Sequence, residues 1–523
     1  MLSTNSMRGR LLALSLLLLA FACKHDPPLG PSPFRFSPRP NRAAEIHWRV
    51  WDASVFAEAE RSGRPILLSL AAVWCHWCHV LDETTLSNPT VIARLNADFL
   101  PVRVDADQHP DLERRYILGG WPTVAFLTAK GEIIDGGTYV PPDQFLQMLD
   151  GALTAARAGG PTLEARLQRH RQHFDPTRAG PLEPTIVEGV ARSLTGAADL
   201  QYGGFGGAPK FPNGDAVVLL LDVGEREVAK RALDGMLKLE DPIEGGFYRY
   251  ATRADWTVPH FEKMLQGNAE LLAAYARGFA LLGDERYRAV CRRTVAYLTR
   301  TLIDAQSGAP FASQDADERY SAADAQGRAA LNAPYIDRTL LVDRAAKLVQ
   351  ALADAAHDLG GSDTPALLAL AHKVAASLLT MRAGDGRLFH ARRPGVAPEV
   401  SGQLADQAYA ALALLSLAAA DPTNAAPLRE AATRALDGAT RTLAAPTGGF
   451  YDAEPGTLGL LTRRERPLEE NAIFARALLR AGRRAEAERT LSAFAGAYLL
   501  YGTQAAGYAR AVREFLEPAG PGR

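Results

Sequence analysis

The chain has 523 residues, of which 47% are apolar and 22% are charged, and its formal net charge is −1. This length leaves room for two or three domains, and the composition is that of an ordinary soluble globular protein. No nucleic-acid partner is expected, because phosphate binding leaves a basic footprint that this near-neutral chain lacks.

The N-terminus has the pattern of an export signal. Two arginines precede the apolar run LLALSLLLLAFA, which is too short to span a bilayer core of ~30 Å but suits a signal peptide. Residues 1–22 are therefore predicted to be a signal peptide, with Cys23 as the lipidated N-terminus of a lipoprotein. The Pro-rich residues 23–41 are predicted to form an extended tether. We expect a cell-envelope or periplasmic protein anchored to a membrane by lipid, with secretion as the alternative.

Residues 42–155 are predicted to form an α/β domain around the motif VWCHWCHV. A buried strand is predicted from Pro65 to about Ala72, and it leads directly into a helix that carries the cysteine pair. A second strand follows at 100–107, then a connector, a Trp-Pro pair, two strands joined by a turn, and a closing helix. This order of elements resembles the thioredoxin fold.

The motif contains Cys75, His76, Cys78 and His79, which allow thiol–disulfide exchange, c-type haem attachment or metal binding. Haem is disfavoured because a strand feeds the motif, whereas a c-type cytochrome needs a mainly helical wrap. Metal is disfavoured because helix residues one and two positions apart do not share a face. Thiol–disulfide chemistry is the leading interpretation, and a scaffold with a silent cysteine pair is the alternative. We expect no metal, and no cofactor beyond the Cys75–Cys78 disulfide.

The resemblance to thioredoxins gives each residue of the motif a role. Cys75 would lie at a helix N-terminus, where the helix dipole stabilises a thiolate, and His76 and His79 would lower its pKa further. Pro122 stands where thioredoxins carry a cis-proline facing the cysteine pair. The resemblance therefore implies a cis peptide bond before Pro122 and a partner groove that this residue shapes.

A linker is predicted at 156–182, and residues 183–517 are predicted to be helical. Apolar residues recur at i, i+3 and i+4 spacing, and a glycine-aromatic loop recurs between pairs of helices. Such pairs would close into an (α/α)6 toroid, so the fold class is multidomain, with an α/β domain followed by an all-α domain. The predicted helices cover 184–198, 214–222, 225–239, 261–282, 285–303, 337–358, 363–382, 402–420, 424–443, 467–481, 483–497 and 503–516.

The polar residues of the toroid loops are candidates for a site in the central cavity. Two carboxylates in QDADERY could serve as an acid/base pair. Each candidate also has a structural interpretation, as a helix cap or a buried hydrogen-bonding group. The candidates are Lys210, His260, Glu262, Asp315, Asp317, Asp406 and Asn471.

Several strings together resemble one family: RPILLSLAAVWCHWCHVLDETTLSNPT, GGWPTVAFLT, GGFGGAPKFP and VPHFEKMLQGNAEL. They are similar to the thioredoxin domain-containing DUF255 family, which includes the spermatogenesis-associated thioredoxin-like proteins of animals. The resemblance covers about residues 45–515 and implies a thioredoxin-like domain followed by a toroid similar to N-acylglucosamine 2-epimerases. It implies no reaction. The chain departs from the family pattern at Asp343 and Arg344, where Trp and Asn are expected.

Two main hypotheses follow. The first is a cell-envelope thiol–disulfide oxidoreductase in which Cys75 attacks a protein thiol or disulfide partner and Cys78 resolves the mixed disulfide. The second is a carbohydrate-active or carbohydrate-binding toroid with the thioredoxin-like domain as a scaffold. A pure interaction module on the envelope surface is a third. A cleft shared by the cysteine pair and the toroid mouth would favour one joint function.

Overall fold

The computed structural model describes residues 34–170 and 177–517. The predicted signal peptide, the lipidation site Cys23 and most of the predicted tether lie outside these ranges. Within the described ranges, no helix is both long and apolar enough to cross a bilayer.

The first domain is built on a four-stranded sheet with the order β2-β1-β3-β4. Strands β1 and β2 are parallel, whereas β3 runs antiparallel to both β1 and β4. The strands β1 and β3 are buried along their whole length because helices cover both faces of the sheet. The strand bounds are Ile66–Ala71 (β1), Leu100–Asp105 (β2), Thr123–Leu127 (β3) and Ile133–Gly137 (β4).

Helices flank this sheet: those that carry the cysteine pair and close the domain were predicted, whereas the first helix was not and the segment predicted as a connector is also helical. Asp52 and Asn88 cap the first turns of α1 and α3, since each side chain accepts hydrogen bonds from backbone N–H groups at the helix start. The helix bounds are Ala53–Ser62 (α1), His76–Glu83 (α2), Pro89–Asp98 (α3), Pro110–Tyr116 (α4), Pro142–Ala158 (α5) and Gly160–His170 (α6).

The segment predicted as a linker contains α6, which belongs to the first domain. Leu167 is buried in the core of that domain, and Arg166 forms an ion pair with Asp135 of β4 at 2.6 Å. Burying the apolar side chains of α6 against the domain is more favourable than exposing them to solvent in a linker. The boundary after residue 155 therefore falls too early, inside α5.

The described part of the predicted tether is folded rather than extended. We call residues 34–41 the N-terminal strap. The backbone N–H of Ser37 anchors the strap by donating a hydrogen bond to Asp82 at 3.0 Å. The Arg103 guanidinium lies 4.8 Å from the Phe36 ring. Asp82 is fully buried and also pairs with Arg103 at 2.8 Å. Phe36 and this buried carboxylate hold the strap against the domain, and composition alone does not reveal such partners.

The second domain is a closed ring of helix pairs, as predicted. The inner helices α8, α10, α14, α16, α18 and α20 contact one another in that order, and α20 returns to α8. The outer helices α7, α9, α11, α15, α17 and α19 pack around them. The bounds are Pro184–Ala197 (α7), Gly214–Asp222 (α8), Arg226–Met236 (α9), Leu265–Leu282 (α10), Glu285–Tyr297 (α11), Glu318–Ala322 (α12), Ala325–Ala329 (α13), Val342–Leu359 (α14), Thr364–Leu379 (α15), Leu404–Ala420 (α16), Ala425–Leu443 (α17), Leu468–Arg480 (α18), Arg484–Ser492 (α19) and Ala506–Leu516 (α20).

Short strands precede three of the inner helices. Helices α10 and α14 consequently begin at Leu265 and Val342, later than the predicted starts at 261 and 337, because the preceding residues pair as strands. The bounds are Tyr250–Ala251 (β5), Pro259–His260 (β6), Lys263–Met264 (β7), Ser313–Gln314 (β8), Ile336–Asp337 (β9), Leu340–Leu341 (β10), Phe389–Arg392 (β11) and Glu399–Ser401 (β12).

Candidate functional site

The cysteine pair lies at the N-terminus of α2, immediately after β1. Cys75 is the N-cap residue, and its Sγ accepts a hydrogen bond from the Cys78 N–H at 3.1 Å. The two sulfurs form a disulfide bond of 2.04 Å. The Trp121–Pro122 peptide bond is cis, as the thioredoxin resemblance implies. The local geometry is that of a thioredoxin-like redox motif.

The toroid covers this disulfide. Cys75 and Cys78 are only 3% and 2% exposed. They form a small apolar cluster with Trp74, with Trp121 of the same domain, and with Met264, which comes from β7 of the toroid. A protein partner therefore cannot reach either sulfur in this arrangement of the two domains.

Two loops of the toroid also contact the histidines of the motif. His76 pairs with Glu318 at 3.0 Å, and its ring lies 5.9 Å from the ring of His260. Nε2 of His79 lies 3.7 Å from Oδ2 of Asp315. Two residues predicted to face the toroid cavity, His260 and Asp315, are thus brought to the cysteine pair instead.

His79 does not supply the positive charge that the sequence interpretation gave it. Burial lowers its pKa to about 4, and the positive charge of Arg35 and the neighbouring His76 act in the same direction. Burial has the opposite effect on the acid beside it and raises the pKa of Asp315 to about 7. At neutral pH the imidazole of His79 is uncharged, so it cannot stabilise a Cys75 thiolate by charge.

Several predicted toroid candidates have structural partners. Lys210 is fully buried, and its Nζ donates to Asp199 at 2.5 Å and to the Gly206 carbonyl at 2.9 Å. Asp317 caps α12 by accepting the Tyr320 N–H at 2.8 Å. Glu262 is 1% exposed and lies 3.5 Å from Nδ1 of His260.

Asn471 explains why a glycine-aromatic loop recurs in the sequence. Its side chain accepts the Phe450 N–H at 2.7 Å and donates to the Phe450 carbonyl at 2.9 Å. Asn268 and Gln407 bind Phe247 and Leu388 in the same two-way manner. The loops are therefore clamped by an amide near the start of an inner helix. Asn268 and Gln407 were not predicted from the sequence. Each follows the loop residue that it binds by about twenty positions, and this constant spacing could have identified them.

A cavity of about 480 Å³ lies where the thioredoxin-like domain meets the toroid. Trp74, Trp121 and Met264 line it and also contact the disulfide, so the cavity and the cysteine pair share one cleft. None of the seven predicted toroid candidates lies in its lining. The charged lining residues are the carboxylates Asp107, Glu113, Glu270, Asp343, Asp452, Glu469 and Glu470 and the guanidiniums Arg114, Arg249 and Arg344.

Asp107 joins the two domains beside this cavity. Its carboxylate accepts hydrogen bonds from Trp74 Nε1 at 2.7 Å and from Arg344 at 2.5 Å, and its carbonyl accepts Nε2 of His390 at 2.8 Å. Burial alone would raise the pKa of Asp107, but the Arg344 charge and these bonds hold it below the ordinary value. The predicted candidate Asp406 reaches the same network through His390, at 2.9 Å from Nδ1.

Comparison with known proteins finds similarity in the thioredoxin-like part and over a longer stretch of the chain. Residues 37–155 match the family model Thioredox_DsbH, described as a protein of unknown function, DUF255. Spermatogenesis-associated protein 20 of Homo sapiens is 31% identical over 307 residues, which are 52% of this chain and 39% of the human protein. The thiol:disulfide interchange protein DsbD 1 of Pseudomonas aeruginosa is 37% identical over 83 residues, 15% of this chain and 14% of that protein.

The chain spans about two fifths of the length of the human relative that it matches. Among solved structures, cellobiose 2-epimerase from Spirochaeta thermophila covers 64% of this chain and 97% of its own, with a TM-score of 0.48 and 15% identity.

Proposed function

We propose, on the premise that residues 37–155 belong to the DUF255 thioredoxin-like family, that Cys75 and Cys78 are a redox pair that exchanges electrons with a thiol or disulfide partner. The observation that carries the proposal is the disulfide itself, which lies at the N-terminus of α2 and packs against Trp121, the residue before Pro122. The similarity of 83 residues to a thiol:disulfide interchange protein supports it. A location in the cell envelope, with a lipid anchor at Cys23, belongs to this proposal.

The exchange runs in two balanced steps. In the reduced protein the Cys75 thiolate attacks one sulfur of a partner disulfide, forms a mixed disulfide and displaces the other partner sulfur as a thiolate. The Cys78 thiolate then attacks Sγ of Cys75, which releases the second partner thiolate and regenerates the Cys75–Cys78 disulfide. Two electrons pass from the cysteine pair to the partner, and the reverse sequence oxidises a partner dithiol.

The toroid cover sets the conditions for this exchange. Because Met264 and two tryptophans pack against the disulfide, the partner is either a small thiol that enters the shared cleft or a protein that meets a displaced toroid loop. Cys75 is the attacking sulfur because the N-terminus of α2 favours its thiolate.

Thiol trapping tests the proposal. The oxidised protein is incubated with a graded glutathione redox buffer, alkylated without denaturant and weighed by mass spectrometry. Cys75 and Cys78 should both be alkylated in reducing buffer and neither in oxidising buffer, as located by peptide mapping, and Cys78→Ser should abolish the midpoint of this change. Cys291 is an internal control, since it is fully buried and burial raises its pKa. A pair that stays oxidised or reduced across the whole range would end the proposal.

A second candidate function is binding of a carbohydrate in the 480 Å³ cavity. Two tryptophan rings and a mixture of carboxylates and guanidiniums line it, and sugars bind through such apolar faces and paired polar groups. Burial raises the pKa of Glu113 in this lining to about 7, a range suited to a general acid. A thermal-shift screen of neutral sugars tests it, and a hit whose shift persists in Glu113→Gln and Trp121→Ala argues against this cavity.

A further inference from the structure

Three potential metal ligands from separate parts of the toroid meet beside the cavity. Asp343 is the second residue of α14, His390 lies in β11, and Asp406 is the third residue of α16. One ligand atom from each residue lies within 4.8 Å of the other two. Neighbouring inner helices bring the two aspartates together, and the strand between them in sequence adds the imidazole.

Two oxygens in this cluster have no hydrogen-bond partner among the described residues. They are Oδ1 of Asp343 and Oδ2 of Asp406, and both are buried. Asp406 is completely buried as a residue, and His390 is 3% exposed. A buried carboxylate oxygen without a partner costs about 1–3 kcal/mol or more, so a cation bound between these two oxygens would be stabilised.

The hydrogen bonds of His390 prepare it for this role. Its Nε2 must donate, because the partner at 2.8 Å is the carbonyl oxygen of Asp107. Metal-ligating histidines usually direct one nitrogen to a backbone carbonyl and bind the ion through the other. Here the other nitrogen, Nδ1, lies 2.9 Å from Oδ1 of Asp406. Nδ1 is therefore the nitrogen that faces the cluster.

A histidine–aspartate ion pair alone does not account for the arrangement. It uses Oδ1 of Asp406 and leaves Oδ2 of that residue and Oδ1 of Asp343 unpaired. The neighbouring Arg344 donates to Asp107 at 2.5 Å through Nη2, and its Nε and Nη1 have no hydrogen-bond partner among the described residues.

We propose that Asp343, His390 and Asp406 bind one divalent transition-metal ion, Zn²⁺ or Mn²⁺. One imidazole and two carboxylates suit these ions, whose bonds to such ligands are about 2.0–2.2 Å. Asp343 and His390 line the cavity, so the remaining coordination positions face a bound molecule or water. The site is independent of the redox proposal.

Equilibrium dialysis of the oxidised full chain against Zn²⁺ or Mn²⁺ alone tests the site, with the bound ion counted by mass spectrometry. We expect one ion per chain in the wild type, and at least about tenfold weaker binding in Asp343→Asn and Asp406→Asn. Co²⁺ provides a spectroscopic readout, because ligation by imidazole and carboxylate gives visible absorption bands that the variants should lose.

Matched controls make each outcome decisive. Asp317→Asn removes a toroid carboxylate outside the cluster and should keep full binding. Asp343→Asn removes an unpaired carboxylate, so its metal-free melting temperature should stay at or above that of the wild type. The proposal is overturned if the wild type binds no ion, or if both aspartate variants bind normally. It is also overturned if the Cys75→Ser/Cys78→Ser variant loses the ion, which would place it at the cysteine motif.

Discussion

At the scale of single residues, the cysteine motif is governed by groups that lie far from it in sequence. Met264 covers the disulfide, while Glu318, His260 and Asp315 approach the two histidines. All four belong to the toroid. Solvent access to the motif, its charge and its proton affinity therefore depend on the packing of the toroid against it, and not on the five motif residues alone.

The first residue-scale prediction concerns Met264→Ala. Truncating a packed methionine removes about 2 kcal/mol or more of packing free energy. Each 1.4 kcal/mol raises the population of molecules with an exposed disulfide about tenfold. Reduction of Cys75–Cys78 by a small thiol should therefore become at least about tenfold faster, as followed by timed alkylation. Met236→Ala is the matched control, since that methionine is buried in α9 away from the disulfide. Equal acceleration in both variants would contradict a local cover.

The second concerns the pH dependence set by Asp315. Burial and the charge of Glu262 raise its pKa to about 7, against the opposing charge of the strap arginine Arg35. The folded state therefore holds a proton that the unfolded state has lost, and stability falls as pH rises from about 4 to 7. Asp315→Asn should flatten that slope and leave a variant more stable than the wild type at pH 8.

Urea denaturation at several pH values measures this effect. Asp317→Asn is the control, because that residue is a helix cap without the buried setting of Asp315. An unchanged slope in Asp315→Asn would show that another group sets the pH dependence.

At the scale of elements, the inner helices and their loops form repeated units. In three of the units an amide side chain near the start of the inner helix holds a loop residue through both its N–H and its carbonyl group. The glycine-aromatic loops are thus fixed parts of the toroid, which explains their recurrence in the sequence.

Asn471→Ala tests this clamp. The substitution leaves the buried N–H and carbonyl of Phe450 without their partner, which costs about 1–3 kcal/mol for each group. We expect a lower melting temperature and about 2–4 kcal/mol less stability in urea, with an unchanged redox midpoint for the cysteine pair. Asn424→Ala, on an exposed turn, is the control. A variant as stable as the wild type would mean that the loop is held by other contacts.

At the scale of the whole molecule, α4 is the docking element between the two domains. The sequence interpretation treated this segment as a connector. Arg115 of α4 is buried and forms two hydrogen bonds with Asp452 at 2.7 and 3.2 Å and two with the Arg463 carbonyl. The Tyr116 hydroxyl accepts the Leu460 N–H at 2.9 Å. These contacts place the thioredoxin-like domain over the toroid mouth and create the shared cleft.

Arg115→Ala should therefore make the two domains unfold in separate thermal transitions. Removing Arg115 breaks a buried ion pair and leaves the Asp452 carboxylate with the Glu465 N–H and the more distant Arg114, which costs about 3 kcal/mol. In calorimetry we expect a lower first transition and two resolved transitions in place of one, together with faster alkylation of the reduced cysteine pair. The exposed Arg429→Ala is the control. A single transition at an unchanged temperature would show that the interface does not depend on this pair.

The sequence by itself determined the elements and the chemistry within each of them. The twelve predicted toroid helices are present because an apolar stripe of period 3.6 dictates a helix wherever a core can receive it. The cysteine spacing and the strand before it likewise predicted the thioredoxin-like cysteine motif, and the thioredoxin resemblance predicted the cis bond of the Trp-Pro pair, because these relations span only a few residues or one fold.

The tertiary structure alone decided which residues form the functional cleft. Met264 on the disulfide, Asp315 beside His79, and the meeting of Asp343 with His390 and Asp406 join positions that are tens to hundreds of residues apart. No local pattern encodes such pairs, because they depend on how the ring closes and how α4 docks on it. Burial then sets the pKa values and the unpaired oxygens, and burial is a property of the assembled molecule.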